Sequence, residues 1–171
     1  EAQQWGRVLM SLRIGLDRYP RDLTARLKLA QLFVAYRVRA KAQETLVEGL
    51  KYGWPGRSFL QSAIEIGAAG EDFEMVLVIC DRALALHNPA QHSAADRRWL
   101  VEQRVRALLA EKRNDEALAF AERESGSVAD ATMSELRLLA LLQASRREEA
   151  VAFAEAWAAR SNNDVQALRL L

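Results

Sequence analysis

The sequence predicts an all-α chain, an α-solenoid of antiparallel helix pairs, and three observations predict it. Small and apolar residues recur at a near-constant step, apolar positions inside each step fall at helical spacing, and the prolines are confined to the ends of the helix pairs. The step is read first from five pairs spaced i, i+4: Val8/Leu12, Ala42/Leu46, Val76/Cys80, Ala117/Ala121 and Ala150/Ala154. They recur at intervals of about 34 residues, with one longer interval between Val76 and Ala117. A second marker, Gly15-Leu16, Gly49-Leu50 and Ala83-Leu84, keeps the same step. The surplus of the longer interval falls in His87-Asn88-Pro89-Ala90-Gln91-His92-Ser93, where a loop accepts an insertion. Near the end of the chain, the octet from Asp115 to Glu122 is echoed by the octet from Glu148 to Glu155.

In chain order, the pattern alternates two kinds of helix, A and B. A first B helix over 3–18 carries Val8 and Leu12 and ends before Pro20, which opposes continuation. Leu23, Leu27, Ala30 and Val34 predict an A helix over 22–36, and Ala42, Leu46 and Leu50 a B helix over 40–52, with Arg37-Val38-Arg39 turning between them. After Pro55 comes an A helix over 57–68, closed by Gly67-Ala68-Ala69-Gly70, then a B helix over 72–86 that stops before Pro89. A long A helix over 94–110 and a B helix over 115–124 flank the turn Lys112-Arg113-Asn114. An A helix over 130–143, the turn Ser145-Arg146-Arg147 and a B helix over 147–160 follow, and after Asn162-Asn163 a further A helix begins at 164–171. No segment supports a strand.

Composition limits what this chain does. Half of its 171 residues are apolar and 27% are charged, which excludes wholesale disorder. With 24 basic and 23 acidic side chains the net charge is +1, so nothing attracts nucleic acid or an anionic membrane in general. The charge is uneven: residues 1–56 carry net +5 and the remainder net −4, suited to an acidic partner or to a second copy head to tail, although Arg37, Arg39 and Lys41 also serve simply to solvate a turn. Twenty of the basic residues are Arg, a bias common in GC-rich bacterial genomes. Residues 1–20 do not read as a signal peptide, and no apolar run approaches the roughly 20 residues that span a bilayer. The piece is expected to be soluble, with cytoplasm and periplasm both open. It begins with Glu1 on a B helix without its A partner and ends on Val165, Leu168, Leu170 and Leu171 without a polar cap. The expectation is a fragment of a longer protein, able to self-associate through its incomplete ends.

The pattern resembles the tetratricopeptide repeat, whose W-x2-L-G-x2-Y, A-x3-F and P signature returns at intervals of about 34 residues. In residues 23–55, Leu29-Ala30 and Phe33 take the L-G-x2-Y places, Ala42 and Leu46 the A-x3-F places, and Pro55 the closing proline, one residue late. Ala63-Ile64 and Gly67, Arg104-Val105 and Leu108, and Arg137-Leu138 and Leu141 take the helix A places in degenerate repeats over about 57–89, 94–126 and 131–163. Arg104 and Arg137 depart from the family's leucine, and Gly67 from its aromatic residue. The resemblance implies one repeat domain over 1–171, pairs stacked into a right-handed superhelix, and a concave groove lined by A helices that receives a peptide or helix of a partner. On the matching positions that groove presents Thr24, Leu27, Gln31 and Val34; Ser58, Gln61 and Glu65; Trp99, Glu102 and Arg106; and Thr132, Glu135 and Leu139. The family's clamp for terminal carboxylates uses Lys and Asn, whereas Gln31, Gln61 and Glu65 stand here, so no such clamp is expected. A mixed polar and apolar groove suits a segment held by a few anchors.

Chemical sites find little material. His87 and His92 are five apart, off the helical i, i+4 spacing; with Asp96 they make no convincing ligand set, and no metal or cofactor is expected. Cys80 takes a helix-packing place without a neighbouring base and reads as inert. Trp54 reads as a ring closing the seam between pairs, Trp157 as a bulky ring at a small-residue place, and Trp99 as the anchor candidate in the groove. Tyr36 and Tyr52, near helix ends, read as structural. Asp115-Glu116 and Glu148-Glu149 open B helices, where carboxylates favour the positive helix end. No phosphate cradle, Ser-His-Asp set or carboxylate cleft can be assembled. The expected function is non-catalytic: a scaffold that binds a protein or peptide. The alternative is a regulatory or targeting section of a larger enzyme or of a secretion or assembly component. An RNA-binding repeat is disfavoured by Glu65, Glu102 and Glu135 on the expected inner face.

Overall fold

The computed structural model describes residues 2–124 and 131–160, with side chains over 5–124 and 131–159. Nine helices are described: α1 (Ala2–Arg18), α2 (Leu23–Ala35), α3 (Arg39–Leu50), α4 (Arg57–Ala69), α5 (Phe73–Leu86), α6 (Ala94–Ala110), α7 (Asn114–Glu124), α8 (Ala131–Gln143) and α9 (Arg147–Arg160). Each lies close to the span predicted from apolar spacing. The further A helix expected over 164–171, with its apolar end, lies outside the described residues.

The chain forms two compact units, residues 1–97 and 98–171, with α6 running through the boundary. In the first, α2 packs on α1, α3 and α4, α4 on α5, and α3 on α5. A helices therefore lie beside A helices and B helices beside B helices, the layering of stacked pairs. In the second, α8 packs on both α7 and α9.

The turns inside the pairs share one geometry. Arg37, Glu71, Lys112 and Ser145 have φ of 58°, 50°, 59° and 60°, the left-handed conformation that closes a helix. At each, this residue's N–H bonds the carbonyl three places back, and the next N–H reaches five back: Val38 to Phe33 (2.8 Å), Asp72 to Gly67 (2.9 Å), Arg113 to Leu108 (2.9 Å) and Arg146 to Leu141 (2.9 Å). These four closures follow one another at the step read from the apolar pairs, and the one longer interval, from Glu71 to Lys112, again spans the inserted loop. Helix starts are secured locally. Asp22 accepts from the Ala25 N–H (2.9 Å), Asp72 from Met75 (3.1 Å), and Ser93 Oγ from Asp96 (3.1 Å), each a cap of about 1 kcal/mol.

The paired markers from Ala42/Leu46 onward make the core. Leu46, Cys80, Ala121 and Ala154 are inaccessible, as are Ala30, Val105 and Leu138 on A helices. Small residues here let the axes approach. Gly49 shows the tightness: a Cβ on it would meet Phe59 Cζ at 2.8 Å, Arg26 Cδ at 3.4 Å and Leu23 Cδ2 at 3.4 Å. Trp157, at the corresponding place of α9, is buried and lies 6.5 Å from the Phe153 ring. One charge is buried in the first unit. Arg26 Nε and Nη2 donate to the Pro20 carbonyl at 3.1 and 2.7 Å, Nη1 to that of Thr45 at 3.5 Å, and Glu48 lies 4.0 Å away. Those partners meet the need of a buried cation and tie the α1–α2 connection to α3.

Candidate functional site

The residues expected to meet a partner occupy matching places on the A helices. In the first unit Gln31, Gln61 and Glu65 are exposed, with Leu27 and Val34 half-buried beside them. The Gln61 amide donates to Glu65 Oε1 at 3.0 Å, one turn along α4. In the second unit Trp99, Glu102 and Glu135 are half-buried, Arg106 is exposed, and Leu139 is exposed although apolar. Arg106 Nε and Nη2 donate to Glu102 Oε1 at 3.1 and 2.9 Å, at the places that Gln61 and Glu65 hold on α4. A partner that used these polar groups would have to displace an intrahelical bond, so binding strength there must come mainly from the apolar and aromatic neighbours.

A second surface escaped the residue-by-residue reading. Between α1 and α2 lies an open cleft of about 740 Å³, lined by Arg7, Val8, Ser11 and Leu12 from one helix and Lys28, Gln31, Leu32 and Ala35 from the other. Trp5 and Tyr36 meet edge to face near it, ring centroids 6.3 Å apart, and both are about half exposed. The signal for this cleft was present in the sequence, in Val8 and Leu12 as the first marker pair, facing Leu32 and Ala35 across it.

The inserted loop is more ordered than its composition suggested. Its two histidines are half-buried and gather on Trp54: the His92 ring stacks at 4.6 Å and 24°, and the His87 ring stands edge-on at 5.8 Å and 81°. His92 Nδ1 accepts the Asn88 backbone N–H at 2.8 Å, and His87 Nε2 lies 3.1 Å from the Ser93 carbonyl oxygen. Asp96 is engaged by the Ser93 hydroxyl at 2.7 Å and by Arg57 at 3.6 Å. The two imidazoles and this carboxylate are thus held by separate contacts, and among the described residues no three His, Cys, Asp or Glu side chains converge as metal ligands. Trp54, expected at a seam between pairs, is the platform on which this loop folds. Cys80 is fully buried on α5.

The resolved titration shifts belong to exposed ion pairs at helix starts. Lys41, bonded to Glu44 at 2.6 Å, holds that carboxyl below its ordinary value. Arg113 does the same to Glu116 and Arg146 to Glu149, while Glu149 raises Arg146 in return. The two Arg–Glu pairs stand one repeat apart at equivalent places. They staple the first turns of α7 and α9 and offer no acid–base group poised near neutrality.

Among the described residues, regular structure is entirely α-helical, and its pairs close by one turn geometry at one recurring step. These features define a helical-repeat protein of the α-solenoid class. A solved structure described as the crystal structure of MamA protein is similar to this chain, with a TM-score of 0.56 over 96% of this chain and 87% of that one, at 14% identity. At that identity the likeness is one of fold, and it fits the tetratricopeptide-like pattern of the sequence. The chain matches no protein-family model and none of the curated protein sequences. No described helix is long and apolar enough to cross a membrane.

Proposed function

We propose that the chain is a non-catalytic interaction scaffold whose A-helix faces hold a peptide or helix of another protein. The observation that carries this reading is the distribution of exposure: while the paired markers from Ala42/Leu46 onward are buried, the places of Gln31, Gln61 and Glu65 in one unit and of Trp99, Glu102, Arg106 and Glu135 in the other stay accessible or half-accessible. Such a fold supplies surface rather than reactive groups. In this reading Trp99 and Leu139 supply apolar anchors, Gln61, Glu65, Glu102 and Arg106 orient the ligand through bonds exchanged from their own helices, and Gln31 and Glu135 add polar contacts beside them. A regulatory or targeting section within a larger enzyme or an assembly component would use the same faces.

The test places a photo-crosslinking residue at Gln31, Gln61, Arg106 or, as a control on an outer B-helix place, Ala85. The proposal predicts that one protein species crosslinks from the A-helix positions and not from Ala85. A peptide from that species should then bind about tenfold more weakly to Trp99→Ala, as loss of one aromatic anchor implies. Crosslinking confined to Ala85, or to RNA, contradicts it.

A further inference from the structure

The inserted loop between α5 and α6 brings both histidines of the chain onto one indole, and its hydrogen bonds fix where each ring carries a proton. The Asn88 backbone nitrogen lies 2.8 Å from His92 Nδ1. A backbone N–H can only donate, so Nδ1 presents a lone pair, and the neutral His92 ring holds its proton on Nε2. His87 Nε2 lies 3.1 Å from the Ser93 carbonyl oxygen, which can only accept, so that nitrogen carries the proton. A further proton therefore acts differently on the two rings. On His87 it goes to Nδ1, and the bond to Ser93 survives. On His92 it goes to the very nitrogen that accepts from Asn88, and sets one N–H against another.

The bond at stake closes a turn. The backbone N–H groups of Gln91 and His92 donate to the Asn88 carbonyl at 3.0 and 2.8 Å, and that of Ala90 to Asn88 Oδ1 at 3.0 Å. Asn88 and His92 are thus bonded in both directions. Charged neighbours are few. Residues 87–93 carry no Asp, Glu, Lys or Arg, and neither does the last turn of α5, Ala83 to Leu86. Before α4, Tyr52 is turned toward Arg21 and Arg26, whose guanidinium carbons lie 5.5 and 5.9 Å from its ring centre. Arg57 of α4 pairs with Asp96 of α6 at 3.6 Å, Asp96 also accepts from the Ser93 hydroxyl at 2.7 Å, and Arg97 beside it is exposed. The one carboxylate at this corner is therefore engaged on the Ser93 side, while the His87 ring stands 5.4 Å from the His92 ring and repels it once both are charged. A charged His92 still gains from the face of Trp54, on which it stacks at 4.6 Å.

We infer that His92 is a pH-sensitive latch on the inserted loop. Neutral, it closes the turn from Asn88 to His92; protonated, it releases the Asn88 N–H and opens the turn, with its ring kept on Trp54 and His87 holding Ser93 in both states. Because the closed turn needs the neutral ring, the latch is complete above the range in which imidazoles ordinarily charge, about pH 5 to 8, and is lost as pH falls through it. The device lies wholly within the first unit and is independent of the proposed partner faces.

The test is nitrogen NMR of the labelled 171-residue chain at about pH 7.5 and about pH 5, with circular dichroism confirming equal helix content. At the higher pH the inference predicts a coupling across the hydrogen bond between the Asn88 amide nitrogen and His92 Nδ1. At the lower pH that coupling is lost, and the heteronuclear NOE of residues 88–91 falls. His92→Asn, which offers an untitratable acceptor near the Nδ1 position, should keep the turn ordered at both pH values. His92→Phe, which stacks on Trp54 and accepts nothing, should leave it open at both. His87→Gln, which keeps a donor for Ser93, should leave the pH response in place. A coupling absent at the higher pH, a His92 ring still neutral or still coupled at the lower pH, or a response that survives in His92→Asn and vanishes in His87→Gln overturns the inference.

Discussion

The Arg104 guanidinium lies 4.1 Å from the centre of the Phe120 ring, and one repeat later Arg137 takes up the same relationship over Phe153 at 4.6 Å. Both arginines stand where the tetratricopeptide pattern has leucine. Their stems pack as an aliphatic residue would, and their cationic heads rest on the ring of the next B helix. The departure from the pattern is thus a substitution made in pairs. Arg104→Ala is expected to lower stability in urea unfolding by about 1–2 kcal/mol, through lost packing and the lost cation–ring contact. Arg104→Leu should recover at least half of that, because it restores the stem. Equal losses for Ala and Leu would show that packing plays no part.

Glycine at one repeat position has opposite consequences in two helices. At Gly15 an added methyl group meets open space, so Gly15→Ala should stabilise by about 0.5–1 kcal/mol through backbone entropy. Gly49→Ala gains the same term but drives a methyl group to 2.8 Å from buried Phe59. Overpacking of that kind costs about 1–3 kcal/mol, and a net loss of about 1 kcal/mol is expected. Urea midpoints of the two variants should move in opposite directions.

Four turns hold an ordinary side chain in the left-handed region, which costs about 1–2 kcal/mol at a residue with a Cβ. Replacing Lys112 by glycine relieves this while adding backbone freedom to the unfolded chain, for a net gain of about 0.5–1 kcal/mol. Lys112→Pro, which cannot adopt positive φ, should unfold the turn between α6 and α7. Thermal unfolding of both variants checks the pair.

The Arg146–Glu149 staple makes a pH-dependent contribution with a defined sign. Because Arg146 lowers the folded carboxyl below its ordinary value of 4.5, this contribution is complete above that value and is lost as pH falls through the lowered folded value. Carbon-detected NMR titration should show the Glu149 midpoint rising in Arg146→Gln. Added salt should raise it in the unmodified protein, since the pair is solvent-exposed. A midpoint unmoved by the substitution would sever the pair.

The helix-pair order was legible because it is written in side-chain size. Ala42, Ala117 and Ala150 are small where two helix axes approach, and burial follows directly. Turn conformation was hidden, because Arg37, Glu71, Lys112 and Ser145 carry no glycine signal for positive φ. The gathering of His87 and His92 on Trp54 was also hidden, since it joins residues distant in sequence through the path of an inserted loop. Arg26 reads as an ordinary helical cation until the chain folds back at Pro20 and offers a carbonyl. Of the candidate surfaces, exposure on A helices follows from the step alone, whereas the cleft between α1 and α2 needed the contrast between Val8 and its buried counterparts.

That contrast is also the most direct measurement of the repeat frame. In a Cys80→Ser background, single cysteines at Val8, Ala42, Ala117 and Ala150 are treated with a maleimide under native conditions. The frame predicts that the cysteine at position 8 reacts as a partly exposed thiol, while the other three react only through unfolding and so at least a hundredfold more slowly, a ratio of about 2.7 kcal/mol in opening free energy. Comparable rates at all four positions would contradict it.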